Sequence, residues 1–196
     1  MENKYTLTIF TENEVGLLNR ITIIFTRRHI NIDSITASES EVPGIYRYTM
    51  VVITTEAQIK KVVGQIEKLV EVLKAFYFLD EEVIHQEMAL YKVSMTDIAK
   101  ASAVENIIRQ TNARVLSIEE GYFVIEKTGY KHETQELFEK LEPFGVMQFA
   151  RSGRVAITKQ TKELTNWLRD IIKASESSDK IRNWKLGKAD STVIGE

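Results

Sequence analysis

There is no cysteine in the 196 residues, so neither a disulfide framework nor thiolate chemistry is available. Proline is limited to two residues and histidine to three, His29, His85 and His132. The histidines are widely separated and none has a partner at metal-ligand spacing; they read as a helix end, a linker residue and a helix start. No stretch approaches the ~20 consecutive apolar residues that a membrane-spanning helix requires. The opening Met-Glu-Asn-Lys lacks the basic stretch and apolar core of an export signal. Charge of one sign is also missing, since 26 basic and 28 acidic residues leave a net charge of −2. That balance argues against a general nucleic-acid binder. A cytoplasmic protein with no membrane and no nucleic-acid partner is the expectation. The GxxxxGK, GxSxG and HExxH motifs are all absent, so no catalytic residue and no metal ligand is assigned.

What is present is a globular composition, 43% apolar and 28% charged, in a repeated order of elements. Tyr5, Leu7 and Ile9 alternate with Thr6 and Thr8, the pattern of a half-buried strand. A polar turn, Glu12-Asn13-Glu14-Val15-Gly16, leads into a helix whose stripe is Leu17, Ile21, Ile24 and Phe25, with Arg27, Arg28 and His29 suiting its negative end. A second strand is expected from Ile32 to Ser38, a turn at Pro43-Gly44, and a third strand from Tyr46 to Thr54. A second helix places Ile59, Val62, Val63, Ile66, Leu69 and Val70 on one face, and Leu73 to Leu79 closes the unit as βαββαβ.

Residues 80–87 read as a connector, after which the order repeats. Met88 to Met95 is a strand, Asp97 to Gln110 a helix, and Arg114–Glu119 with Tyr122–Lys127 a hairpin turning at Glu120-Gly121. A helix from His132 to Leu141 stops at Pro143 and Gly145. The last strand runs from Val146 to Ala150, with an extension past Gly153 to Ile157. The fold class is therefore α+β, two tandem ferredoxin-like βαββαβ units with boundaries near 3–80 and 81–158, and a helical and polar extension over 159–196. The extension's helix carries a stripe of Leu164, Trp167, Leu168, Ile171 and Ile172, while Ile181, Trp184 and Leu186 are too sparse for a core. Sheet edges that another chain can extend point to a homodimer.

The turn at Asn13 to Leu18 admits two readings. Unpaired N–H groups and the positive end of the helix dipole suit a small carboxylate. Equally, Gly16 serves a tight strand-to-helix connection in which Asn13 satisfies turn amides. Asn31 likewise is either a ligand contact or a helix terminator. An amide side chain at both ends of the first helix, with Leu17 and Leu18 beside the amides, matches a branched aliphatic amino acid.

The stretch ENEVGLLNRITIIFTRRHINIDSITAS resembles the ACT domain of the small, regulatory subunit of acetolactate (acetohydroxyacid) synthase, and FARSGRVAIT at 149–158 resembles the end of that family's second domain. The resemblance covers nearly all of residues 3–160. It implies a subunit with no active site of its own that activates a catalytic large subunit. The cofactors, thiamine diphosphate, Mg and FAD, would belong to that partner. It also implies feedback inhibition by a branched-chain amino acid, valine first. By position it implies that Asn13, Gly16, Leu17 and Leu18 hold the effector, that Asn31 and Ile32 come from the neighbouring ACT domain, and that Ser38 lies near the effector. The alternative is a free-standing ACT-type amino-acid sensor acting on another enzyme or on transcription, although no helix-turn-helix is visible.

Overall fold

The chain begins with β1 (Glu2–Glu12), which becomes one of the two inner strands of a four-stranded antiparallel sheet. The computed structural model describes residues 1–94 and 98–159, then 166, 167, 169–171 and 173. α1 (Leu17–Thr26) buries Leu17, Ile21 and Phe25 of the expected stripe, with Ile24 only partly buried against the core, and chain reversal follows through His29, a non-glycine residue at φ 54. β2 (Ile32–Glu39) and β3 (Ile45–Thr55) precede α2 (Glu56–Ile66), whose first turn is capped by the Thr55 hydroxyl accepting from the Gln58 N–H. β4 (Val72–Leu79) completes the order β2-β3-β1-β4. Both helices pack on one face of this sheet over Tyr5, Leu7, Ile9, Met50 and Val52. Val70 is not part of the α2 face, because the helix ends at Ile66 and Val70 is exposed in the following turn.

The expected half-buried character of β1 needs correction, because Thr6, Thr8, Phe10 and Thr11 are as buried as Leu7 and Ile9. A second apolar cluster explains part of this: Phe10, Val42, Ile45, Leu73, Phe76 and Ile171 pack together, with Phe78 and Trp167 against them. Threonine is polar enough to mimic an outward position but small and β-branched, so it is also at home inside a sheet.

The second unit repeats the plan. The expected connector over 80–87 is only a single 3-10 turn, Asp80–Glu82, and the next strand, β5 (Val83–Ser94), begins five residues earlier than Met88. After Val83 and Ile84 it runs through three polar residues, His85, Gln86 and Glu87, which concealed a strand that backbone pairing secures. α3 (Ile98–Gln110), β6 (Arg114–Glu119), β7 (Tyr122–Gly129), α4 (Lys131–Leu141) and β8 (Val146–Arg151) follow, with sheet order β6-β7-β5-β8. The final strand is not continuous to Ile157. It breaks at 152–154 and resumes as β9 (Val155–Thr158), which pairs with β5, while the Ser152 hydroxyl accepts from the Met88 N–H at 2.9 Å. Met95 and Asp97, and the expected positions Leu164, Leu168, Ile172, Ile181, Trp184 and Leu186, lie outside the described residues. Two compact units result, one of Met1–Ile84 with the described residues from Ile157 onward, the other of His85–Ala156.

Inside the second core, the fully buried Tyr91 phenol donates a 2.6 Å hydrogen bond to the Thr134 carbonyl. Burial pushes its pKa up to about 12, opposed by the nearby Arg151 charge. A phenol whose pKa is higher in the fold than in the unfolded chain stabilises fully below the ordinary value of about 10 and loses that contribution as pH rises toward the folded value. Denaturant titrations on either side of that value should therefore show an alkaline loss of stability in the wild type that Tyr91→Phe largely removes.

Candidate functional site

The site begins where β1 runs out. The Glu12 N–H donates to the Glu71 carbonyl at 2.9 Å, after which the chain passes through exposed Asn13, Glu14 and Val15 to Gly16. Gly16 has φ 81 and ψ −2, a left-handed conformation that costs a residue with a side chain about 1 kcal/mol or more. A Cβ built there would meet no heavy atom within 4 Å, so glycine is required by backbone angle and not by crowding.

The first turn of α1 has no side-chain cap and no acidic residue. The Leu17 N–H is engaged with the Glu14 carbonyl at 3.3 Å, and the first intrahelical bond runs from the Arg20 N–H to the Gly16 carbonyl at 3.2 Å. The Leu18 and Asn19 amides lie between them, at the positive end of the helix dipole. Leu17 itself is fully buried and Leu18 is 41% exposed. The Arg20 guanidinium pairs with Glu71 at 2.9 Å, tying the first turn to the chain before β4.

Register places the remaining candidates. Ser38 lies opposite Arg47, which lies opposite Phe10, so Ser38 is at the same end of the sheet as Asn13, Gly16, Leu17 and Leu18. Ile32 lies opposite Val52, which lies opposite Tyr5, at the far end, with exposed Asn31 just before it. The six steps from Ile32 to Ser38 span roughly 20 Å of strand. One chain therefore assembles five of the seven candidates and leaves Asn31 and Ile32 apart.

Arg47 was missed by sequence reasoning. Its guanidinium sits 5.7 Å over the Phe10 ring, and desolvation lowers its pKa, an effect that Glu41 partly offsets. The available signal was a lone cation inside the apolar run IYRYTMVVI. The histidines assemble no catalytic group: His29 turns the chain, His85 lies in β5 and not in a linker, edge-on to Tyr130 at 5.0 Å, and His132 stacks on the same ring at 5.7 Å. Among the described residues no cluster of three or more His, Cys, Asp or Glu residues could hold a metal ion, and no helix is long and apolar enough to cross a membrane.

Two family models match the chain in tandem, the AHAS small subunit-like ACT domain over residues 7–74 and the small subunit of acetolactate synthase over residues 86–160. The acetolactate synthase small subunit of Bacillus subtilis is 32% identical over 161 residues, 82% of this chain and 93% of that protein. The chain belongs to the acetolactate synthase small-subunit family. The probable acetolactate synthase small subunit of Archaeoglobus fulgidus is 30% identical over 162 residues, which is 99% of its length. In three dimensions the Thermotoga maritima small subunit superposes with a TM-score of 0.74 at 28% identity, covering 81% of this chain and 98% of that one. As a member of this family, the chain is a regulatory, non-catalytic subunit in branched-chain amino-acid biosynthesis, and its partner is a catalytic large subunit. The two βαββαβ units are the family's tandem ferredoxin-like domains, the first of them an ACT domain.

Proposed function

We propose that the ACT domain is the effector-binding and dimerisation unit, and that a branched-chain amino acid, valine first, binds at its junction with a second copy to feedback-inhibit the synthase. The observation that carries this reading is the start of α1, uncapped by any side chain, free of acidic residues and reached through a left-handed Gly16. Amides around Gly16, Leu17 and Leu18 receive the effector's carboxylate, with Asn13 and Ser38 beside them. Asn31 and Ile32, stranded at the other end of β2 in one chain, are contributed by the neighbouring ACT domain. Thiamine diphosphate, Mg and FAD reside in the catalytic partner, and this chain acts on that chemistry only through the assembly, in the cytoplasm.

Regulation requires the inhibited arrangement of the complex to bind effector more tightly than the active one. Coupling of roughly 1 to 3 kcal/mol shifts affinity about 5- to 150-fold. Preference among valine, leucine and isoleucine rests on single methylenes, each worth about 1 to 3 kcal/mol. Reconstitution with the cognate large subunit tests the reading. Turnover should rise on adding this chain and fall on adding valine; activation without inhibition by any of the three amino acids would overturn the effector assignment.

A further inference from the structure

The second family model ends at residue 160, and the 162 residues aligned with the Archaeoglobus fulgidus small subunit already cover 99% of that protein. The chain beyond that point lies outside the second family model and has no counterpart in that shorter relative. Its described residues are helical. They are not an appendage to the first unit but part of its packing: Ile171 is 3% exposed and Trp167 packs beside it. The Trp167 ring lies 4.8 Å from Phe10 and 6.0 Å, edge-on, from Phe76. Arg47 and Lys74 flank the same cluster, over the Phe10 and Phe76 rings at 5.7 and 5.8 Å.

The positions that this cluster gathers are specific. Phe10 stands where β1 shifts register against β4, two residues before the strand ends. Val42 and Ile45 flank the Pro43-Gly44 turn, and Leu73 follows the turn that leads into β4. Each thus anchors one of three turns at the same end of the sheet, the end that carries Gly16 and Ser38. Aromatic packing on such an anchor restricts the backbone that leaves it, because opening the turn must first break the buried contact.

We propose that the helical segment bearing Trp167 and Ile171 is a resident strap on the outer face of the ACT sheet, and that it sets the order of the backbone from Phe10 to Leu18. The strap lies outside the second family model and tunes the loop without contributing a group to the effector. Its occupant is this chain's own extension, so the face it covers is closed to other partners while the strap is docked.

The full-length chain tests this without any effector. With Trp184→Phe, Trp167 becomes the single tryptophan, and its emission should lie to the blue of free indole with several-fold weaker acrylamide quenching. Amide exchange across residues 10–18 should accelerate about tenfold in Trp167→Ala and remain close to wild type in Trp167→Phe, with β7 in the second unit unchanged as the folding control. Emission and quenching equal to those of a free tryptophan, or exchange at residues 10–18 unaffected by Trp167→Ala, would overturn the proposal. An absence of amino-acid binding by the wild type would instead strike the effector reading and leave these readouts intact.

Discussion

Gly16→Asp should abolish inhibition of the reconstituted synthase by valine while leaving its activation in place. Space at the branch point is not the obstacle, since a Cβ at this position meets no heavy atom within 4 Å. The backbone angle costs about 1 kcal/mol or more for a residue with a Cβ, but asparagine and aspartate visit the left-handed region most readily, so the fold should survive. What changes is charge: a carboxylate would stand over the amides that are to receive the effector's own carboxylate, repelling it and occupying its donors. Gly16→Asn separates the two contributions, having nearly the same shape and backbone cost without the charge. The asparagine variant should retain weakened inhibition and the aspartate variant should have none. Calorimetry on the purified chain and inhibition curves on the complex both measure this, and wild-type inhibition of Gly16→Asp would remove Gly16 from the site.

A second large effect concerns the interface. β2 is an edge strand, and on it Ile35 is 38% exposed; Leu18 and Ile23 on α1 are 41% and 37% exposed. An open edge beside exposed apolar groups is a surface that another copy can complete. Ile35→Asp would bury an unpaired charge in such a contact, and a central interface position of this kind typically costs about 2 kcal/mol or more, at least ~30-fold in dimer dissociation. Analytical ultracentrifugation at one concentration should show a dimer for the wild type and a folded monomer for the variant. Effector binding should disappear with the dimer, because Asn31 and Ile32 lie too far from Gly16 within one chain. A monomeric Ile35→Asp variant that still binds valine normally would place the whole site in a single subunit.

The repeated βαββαβ order was legible in the sequence because its signals are local: the stripe Leu17, Ile21, Phe25, the Glu120-Gly121 hairpin turn and the Pro43-Gly44 turn each declare themselves within a few residues. The loop bearing Gly16 was legible for the same reason. Burial of Phe10 on the second face of the sheet was not, because Trp167 and Ile171, which pack with it, come from more than 150 residues away in sequence. The early start of β5 was hidden behind His85, Gln86 and Glu87, whose polarity says nothing about backbone pairing with β9. Arg47 escaped notice because an arginine in a strand looks like an ordinary solvent-facing residue until register sets it beside Phe10.

β1 is paired on both sides and buried on both faces over Tyr5–Thr11, and only the short turn 13–16 separates its end from the first turn of α1. If the proposed effector binds at those amides, it meets donors held four residues from a doubly paired strand and tied to the chain before β4 by the Arg20–Glu71 pair. Little conformational freedom remains to be lost when the ligand settles, so even a molecule as small as an amino acid, with few atoms to contribute contacts, can be held with useful affinity.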